Sequence, residues 1–226
     1  MDVSLSSAIL LSLAAAAGAV LIDLVPAVWV ARLLARPHLR GRALLSAVVH
    51  LPVVLPPVVT GYLLLLLFAR DGALGGALHE AGIVVPFRFL GCVVAAAVVA
   101  FPFLVTSLRA ALEAADPRLE GLAQTLGDTP FRAFLRVTLP LAAPGLGAGI
   151  VLAFARALGE FGATIVLAGN TPGETQTLAL AVFDLLSGRG TEEEAAVFTA
   201  AAVGIAVAAL VLHEVLLHRQ RRRRAC

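Results

Sequence analysis

The chain predicts an all-α, polytopic membrane protein, and three observations carry that prediction. Of its 226 residues, 60% are apolar and 14% charged, with a mean hydropathy of +0.95; soluble domains carry about 25% charged residues. Five apolar runs, residues 5–30, 44–68, 89–108, 141–168 and 195–217, each meet the roughly 20 residues that a helix needs to cross hydrocarbon. No series of short alternating segments of the barrel type is visible. Backbone polar groups in hydrocarbon must be satisfied internally, and runs rich in alanine and leucine do this as helices. Residues 1–226 therefore read as one transmembrane domain with about five spanning helices.

The order of the connections predicts their sides. Lysine is absent, so arginine supplies all 17 basic residues. Arg32, Arg36, Arg40 and Arg42 follow the first run, Arg109, Arg118, Arg132 and Arg136 precede the fourth, and Arg219 and Arg221–Arg224 form a tail over 218–226. The alternate connections hold Asp71, Glu80, Glu174 and Glu192–Glu194. Positive charge stays cytoplasmic, which predicts an N-terminus outside and a cytoplasmic tail. The tail reads as an anchor on the anionic inner leaflet of the lipid bilayer, with no nucleic-acid role. The first run carries an acid, lacks a basic cluster and is too long for a cleaved signal, so it reads as the first helix. Asp23 within it is expected near the cytoplasmic end, reaching interfacial water.

Two connections have more content than a linker. Residues 110–139 are too polar to span and too periodic to be a tether. Helical character is expected at 111–115 and 119–126, broken at Gly127; Asp128 or Thr129 can cap a following helix that starts at Pro130. In that second piece Phe131, Phe134, Leu135 and Thr138 fall on one face, with Arg132 and Arg136 on another. Two short helices joined at a glycine make a knob able to dock in a partner's groove. Residues 70–86 are glycine-rich and can hold a short surface helix. Residues 169–194 turn at Asn170, Pro172 and Gly173, then hold an apolar stretch, 178–186, too short to span: a re-entrant, interfacial or bundle-buried helix.

Within the fourth run, "LAFARALGEFGATIVLAG" places Arg156 and Glu160 in an apolar setting. Four apart on one helix, they share a face within bonding reach. A mid-bilayer charge costs on the order of 3 kcal/mol on insertion scales, so neither should face lipid. The pair reads as a bundle lock, or as a part of a transport pathway that exchanges partners between states. Gly162 and Thr164 keep that face small and polar. Pro52, Pro56 and Pro57 bend the second run, and Thr60, Gly61 and Tyr62 beside them can form a polar, mobile constriction. His50 is expected to bond a backbone carbonyl. Cys92 and Cys226 suggest neither disulfide nor metal site, and His213 and Glu214, one apart, make a poor metal pair. No cofactor is implied.

The stretch "LEGLAQTLGDTPFRAFLRVTLPLAAPG", with Leu119, Glu120, Ala123, Leu126, Gly127, Leu139 and Pro140, resembles the cytoplasmic docking signature of the permease subunits of bacterial ATP-binding-cassette importers. Gly121 and Leu122 depart from its glutamate–alanine–alanine core, and Asp23 departs from a position usually apolar or glycine. "HLPVVLPPVVTGYLLLLLFAR", "LAFARALGEFGATIVLAGN" and "PGETQTL" resemble the molybdate permease family in particular; sulfate permeases share much of the glycine–glutamate–phenylalanine–glycine block. The resemblance implies a type I importer permease fold and a homodimer with the pathway on its two-fold axis. It also implies two cytoplasmic ATPase subunits docked around Glu120, Ala123, Gly127, Phe131, Arg132, Leu135 and Pro140. An extracytoplasmic binding protein would dock at Asn170, Gly173, Glu174 and Thr175 and deliver molybdate, or alternatively tungstate or sulfate/thiosulfate. Without lysine the chain has no P-loop, so it is expected to be no enzyme and to draw on a partner's ATP hydrolysis. A stand-alone channel or secondary carrier would call for internal repeats or several buried ionisable groups on different helices. A membrane enzyme would call for convergent catalytic groups. Neither pattern is visible.

Overall fold

A computed structural model describes residues 4–36 and 39–225; the side chains of residues 189 and 216–225 fall outside the description, as does Cys226. The anchor role expected for the basic tail therefore concerns side chains outside the described ones. Among the described residues the regular structure is helical throughout.

Helix α1 (Leu5–Leu34) is a 30-residue span. It buries a stripe of small residues, Ala8, Ser12, Ala16, Ala19, Asp23, Ala27 and Ala31, spaced three or four apart. Small side chains let helix backbones approach closely where lipid offers no hydrophobic drive for packing. The stripe meets Ala96, Ala97, Ala100 and Leu104 of α5 (Phe89–Glu113) and Ala153 and Ala157 of α8 (Leu139–Leu158) in one continuous core. Asp23 belongs to this buried face, with Oδ2 unpartnered among the described residues, so the expectation that it reaches interfacial water does not hold.

The second apolar run is two helices. α2 (Arg42–Val54) and α3 (Pro57–Phe68) meet at 111°. Leu55 and Pro56 each precede a proline, which disfavours helical ψ; both are extended, with ψ of 142° and 131°. Pro57 then occupies the first turn of α3, where its missing N–H costs nothing. Counting this pair as one crossing, the described residues hold up to five helices or helix pairs long and apolar enough to span, four of them long single helices. α4 (Gly75–Glu80) is the short helix expected in the 70–86 connection.

The fourth run is also broken. α8 stops at Leu158, Gly159–Phe161 leave the helix, and α9 (Gly162–Leu167) restarts as a half-helix. At its other end α8 is continuous with α7 (Pro130–Ala133) through a π turn at Phe134–Thr138, giving one helix from Pro130 to Leu158. The second piece of the knob is thus the leading end of a span, and the first is α6 (Pro117–Thr125). Ala111–Glu113, expected as part of the knob, complete α5. α10 (Leu178–Asp184) buries Leu178, Leu180 and Ala181, the bundle-buried alternative. α11 (Glu192–Ala225) opens on a capping box in which Thr191 and Glu194 exchange bonds of 2.9 and 3.2 Å. Part of the Glu192–Glu194 acidic cluster therefore serves as a helix cap.

Candidate functional site

A buried polar cluster lies at the α8–α9 break. Arg156 occupies the last turn of α8 and donates from Nη2 to Glu160 Oε2 at 2.7 Å. Glu160 Oε1 accepts from the backbone N–H of Ala163 at 2.8 Å, at the start of α9. Arginine near a helix C-terminus and carboxylate near the next N-terminus both complement the helix dipoles. Glu160 is 3% exposed. The expected pair is present, but one unbroken helix does not hold it: Glu160 stands in the break and ties its two sides together. Gly162 and Thr164 are buried on α9.

α3 crosses α9 at contact distance. Thr60 and Gly61 are buried, and the Thr60 hydroxyl has no hydrogen-bond partner among the described residues. Tyr62 is exposed instead. The three residues thus split between two faces of α3 within one chain, and Gly61 is the one whose backbone lies directly against Ala163 of α9. His50 meets the Ser46 carbonyl at 2.7 Å and Thr106 Oγ1 at 3.0 Å, in the structural role expected of it. His213 lies 2.8 Å from the Ala148 carbonyl.

The knob is assembled by caps. Asp116 accepts from the N–H of Arg118 at 2.9 Å to start α6, and Thr129 accepts from the N–H of Arg132 at 3.3 Å to start α7. Between them Gly127 adopts φ +101°, a conformation that glycine takes without strain. The N–H of Asp128 reaches back to the Ala123 carbonyl at 3.1 Å, closing the turn. Leu119, Leu122 and Leu126 project outward, Leu126 being 89% exposed. Arg132, Leu135 and Pro140 are exposed as well, while Phe134 is buried. Glu120 is not free: Thr138 Oγ1 donates to its Oε2 at 2.6 Å, and Arg32 lies 3.5 Å from its Oε1. Arg32 also donates to the Pro130 carbonyl at 3.2 Å and stacks 3.9 Å over Phe134. Trp29 stacks on Phe131 at 5.9 Å with their planes 6° apart. Sequence reasoning missed Trp29 and the contacts of Arg32. The latter was legible only as a topology charge, because its partners lie about a hundred positions away.

The turn after α9 is stapled from within. Thr175 is 1% exposed; its hydroxyl accepts from the N–H of Thr171 at 3.0 Å, and its carbonyl accepts from Cys92 Sγ at 3.4 Å. Ser12 Oγ of α1 accepts from the N–H of Leu178 at 2.7 Å, and Gln176 donates to Asp184 at 3.2 Å. Gly173 and Glu174 are exposed and Asn170 half-buried. Of the residues expected to dock a partner here, Thr175 shapes the loop and presents no surface.

Comparison with known proteins supplies the context. The family described as "Binding-protein-dependent transport system inner membrane component" matches residues 27–224. The molybdenum transport system permease protein ModB of Haemophilus influenzae is 46% identical over 218 residues, covering 96% of this chain and 95% of that protein. Its counterpart in Escherichia coli K12 is 46% identical over 217 residues at the same coverage. The sulfate transport system permease protein CysT of Salmonella typhimurium is 42% identical over 151 residues, covering 67% of this chain and 54% of that one. Among solved structures, a bacterial ABC transporter involved in the import of alginate superposes with a TM-score of 0.68 at 23% identity, over 96% of this chain and 78% of that one.

Proposed function

Because the chain belongs to the binding-protein-dependent transport system inner membrane component family, we propose that it is the permease subunit of an ATP-driven molybdate importer. Two copies line the oxyanion pathway along their shared axis, two ATP-binding-cassette ATPases dock on the cytoplasmic knobs, and an extracytoplasmic binding protein delivers the anion. The N-terminus lies outside and the arginine tail inside, consistent with the charge bias of the connections. Residues 110–139 are the coupling loop and 169–194 the outer loop.

One observation carries this reading. A bundle without lysine, and hence without a P-loop, exposes Leu119, Leu122 and Leu126 on a doubly capped helix–turn beside its spans. Exposed apolar groups on a polar knob call for a protein partner, and the ATPase is the partner that supplies energy. Glu120, Ala123 and Gly127 set the shape of the knob; Phe131, Arg132, Leu135 and Pro140 flank it. Within the bundle, Arg156 and Glu160 fix the half-helix α9 against Gly61 and Thr60 of α3, making this crossing the gate, with Gly162 and Thr164 beneath it and Tyr62 on the outward face of α3. A locked pair suits a gate better than an anion clamp, since cargo held too tightly blocks passage. Gly173, Glu174 and Asn170 form the binding-protein contact, held in shape by Thr175. Acidic groups there repel a free oxyanion, which favours delivery from a closed carrier.

Sulfate or thiosulfate is the second reading, favoured by the 42% identity to a sulfate permease over two thirds of the chain; tungstate is a close chemical variant of the first. Reconstitution into vesicles with the cognate ATPase and binding protein, followed by uptake of labelled molybdate, separates them. ATP-dependent uptake that tungstate competes and sulfate does not is the expected result. Equal competition by sulfate overturns molybdate as the cargo, and uptake without ATP overturns the importer.

A further inference from the structure

The importer reading leaves open how the knob communicates with the outer loop more than a bilayer's half-thickness away. α8 continues from the knob but ends at the gate, at Leu158. α1 stays helical from Leu5 to Leu34, with Pro26 inside it removing one backbone donor between the two ends, and each end is fastened to one of the two partner-facing regions.

At the cytoplasmic end, Arg32 and Trp29 lie three apart and so share a face. Arg32 bridges both pieces of the knob: Glu120 belongs to α6, Pro130 to α7 and Phe134 to the π turn. The same pieces are also joined through the non-helical turn around Gly127, by the Thr138–Glu120 bond and by Arg136 donating to Asp128 at 3.1 Å. Trp29 adds a parallel ring stack on Phe131. A planar guanidinium that serves a carboxylate, a carbonyl and an aromatic face together is not replaceable by a point charge. At the outer end, Ser12 accepts from the N–H of Leu178, the residue that ends the loop bearing Gly173 and Glu174. One turn further out, Ala8 packs with Leu178, Ala181 and Leu185. Ser12 and Trp29 are 17 positions apart, about 26 Å along a helix.

We infer that α1 is a continuous rod joining the two docking sides: knob and α1 move together through Trp29 and Arg32, and Ser12 passes that displacement to the outer loop. This rests on the importer reading and names the element that couples binding-protein contact to the ATPases. Trp29, Arg32 and Ser12 are positioning residues, since they touch neither cargo nor nucleotide.

The test uses the reconstituted complex and compares its ATPase rate with and without molybdate-loaded binding protein. Arg32→Ala and Ser12→Ala, placed at opposite ends of the rod, are each expected to lower the stimulation ratio about tenfold, an ordinary size for allosteric coupling, in complexes that still assemble. Arg32→Lys retains a charge for Glu120 but loses the fork, and falls between Arg32→Ala and wild type. A bridging experiment removes dependence on any one variant. In a Cys92→Ser, Cys226→Ser background, Trp29→Cys with Phe131→Cys loses stimulation, and a short bifunctional thiol reagent joining the two positions restores it. Wild-type stimulation in both alanine variants overturns the rod, as does a bridge that leaves stimulation at or below the unbridged level. Absence of stimulation in the wild-type complex overturns the importer reading itself, and the rod with it.

Discussion

Gly61 of α3 and Ala163 of α9 touch backbone to backbone: a β carbon on Gly61 would lie 2.7 Å from the Ala163 carbonyl oxygen and 2.8 Å from its Cα. One residue along, a β carbon on Gly162 would lie 2.7 Å from Cβ of Pro57. The two helices can cross this closely only because both sides lack side chains at the contact.

Gly61→Ala is therefore expected to destabilise the permease by about 1–3 kcal/mol, as overpacking does, and to slow uptake. Gly147→Ala is the control, since nothing lies within 4 Å of its β carbon; it is neutral or stabilising by up to about 1 kcal/mol through helix propensity. Thermal unfolding in detergent, read beside vesicle uptake, checks both. Matching midpoints for the two variants would refute the close crossing.

Glu160 serves two donors at once, the Arg156 guanidinium and the Ala163 N–H. Glu160→Ala strands both, and breaking one partner from a buried pair costs about 3–5 kcal/mol. Glu160→Gln keeps one acceptor oxygen, enough for one of the two donors, and is expected to lose less than Glu160→Ala. The measurement is the unfolding midpoint together with uptake. If the alanine and glutamine variants behaved alike, the bridge across the α8–α9 break would have no energetic role.

The positions of the spans were legible in the sequence because hydropathy is a local, additive property of a run. Their breaks were legible unevenly. The prolines announced the bend within residues 44–68, but not that Pro52 stays inside α2 while Leu55 and Pro56, two consecutive pre-proline residues, make the 111° turn. The stop at Gly159–Phe161 lies in a stretch whose composition does not change; it is set by Glu160 capping α9. The knob was legible from its caps and from Gly127, which are local signals. The clamp by Arg32 was not, because Arg32 and Pro130 are 98 positions apart and nothing in either neighbourhood points to the other. Thr175 and Glu174 are adjacent and both polar, yet one is buried and one exposed. Only the hydrogen bonds from Thr171 and Cys92 separate them.

The turn at Gly127 offers a backbone test. Its φ of +101° disfavours any L side chain, although a β carbon there meets nothing within 4 Å. Gly127→Val is expected to cost about 1–3 kcal/mol of local strain and to distort the turn that holds Asp128 to Ala123. The spans lie outside this turn, so the variant should insert and fold while ATP hydrolysis runs without matching uptake. Molybdate transported per ATP hydrolysed is the measurement, and a normal ratio would separate the turn from coupling.

The exposed leucines test docking apart from shape. Leu122 and Leu126 project from α6 and its end, Leu126 almost wholly into solvent, and neither belongs to a core cluster. An exposed apolar side chain contributes little to the stability of its own chain, so Leu122→Glu with Leu126→Glu is expected to leave the permease's unfolding midpoint within about 0.5 kcal/mol of wild type, as for surface substitutions generally. Buried in an interface, each leucine contributes up to about 3 kcal/mol through area removed from water, and a carboxylate in its place would be desolvated without a partner. The two changes together should therefore weaken ATPase association by about a hundredfold or more. Co-purification and titration of the ATPase onto the vesicle-bound permease measure this. A variant that binds the ATPase as wild type does would exclude this face of the knob from the interface, and a variant that fails to fold would place the leucines in a core that the structure does not give them.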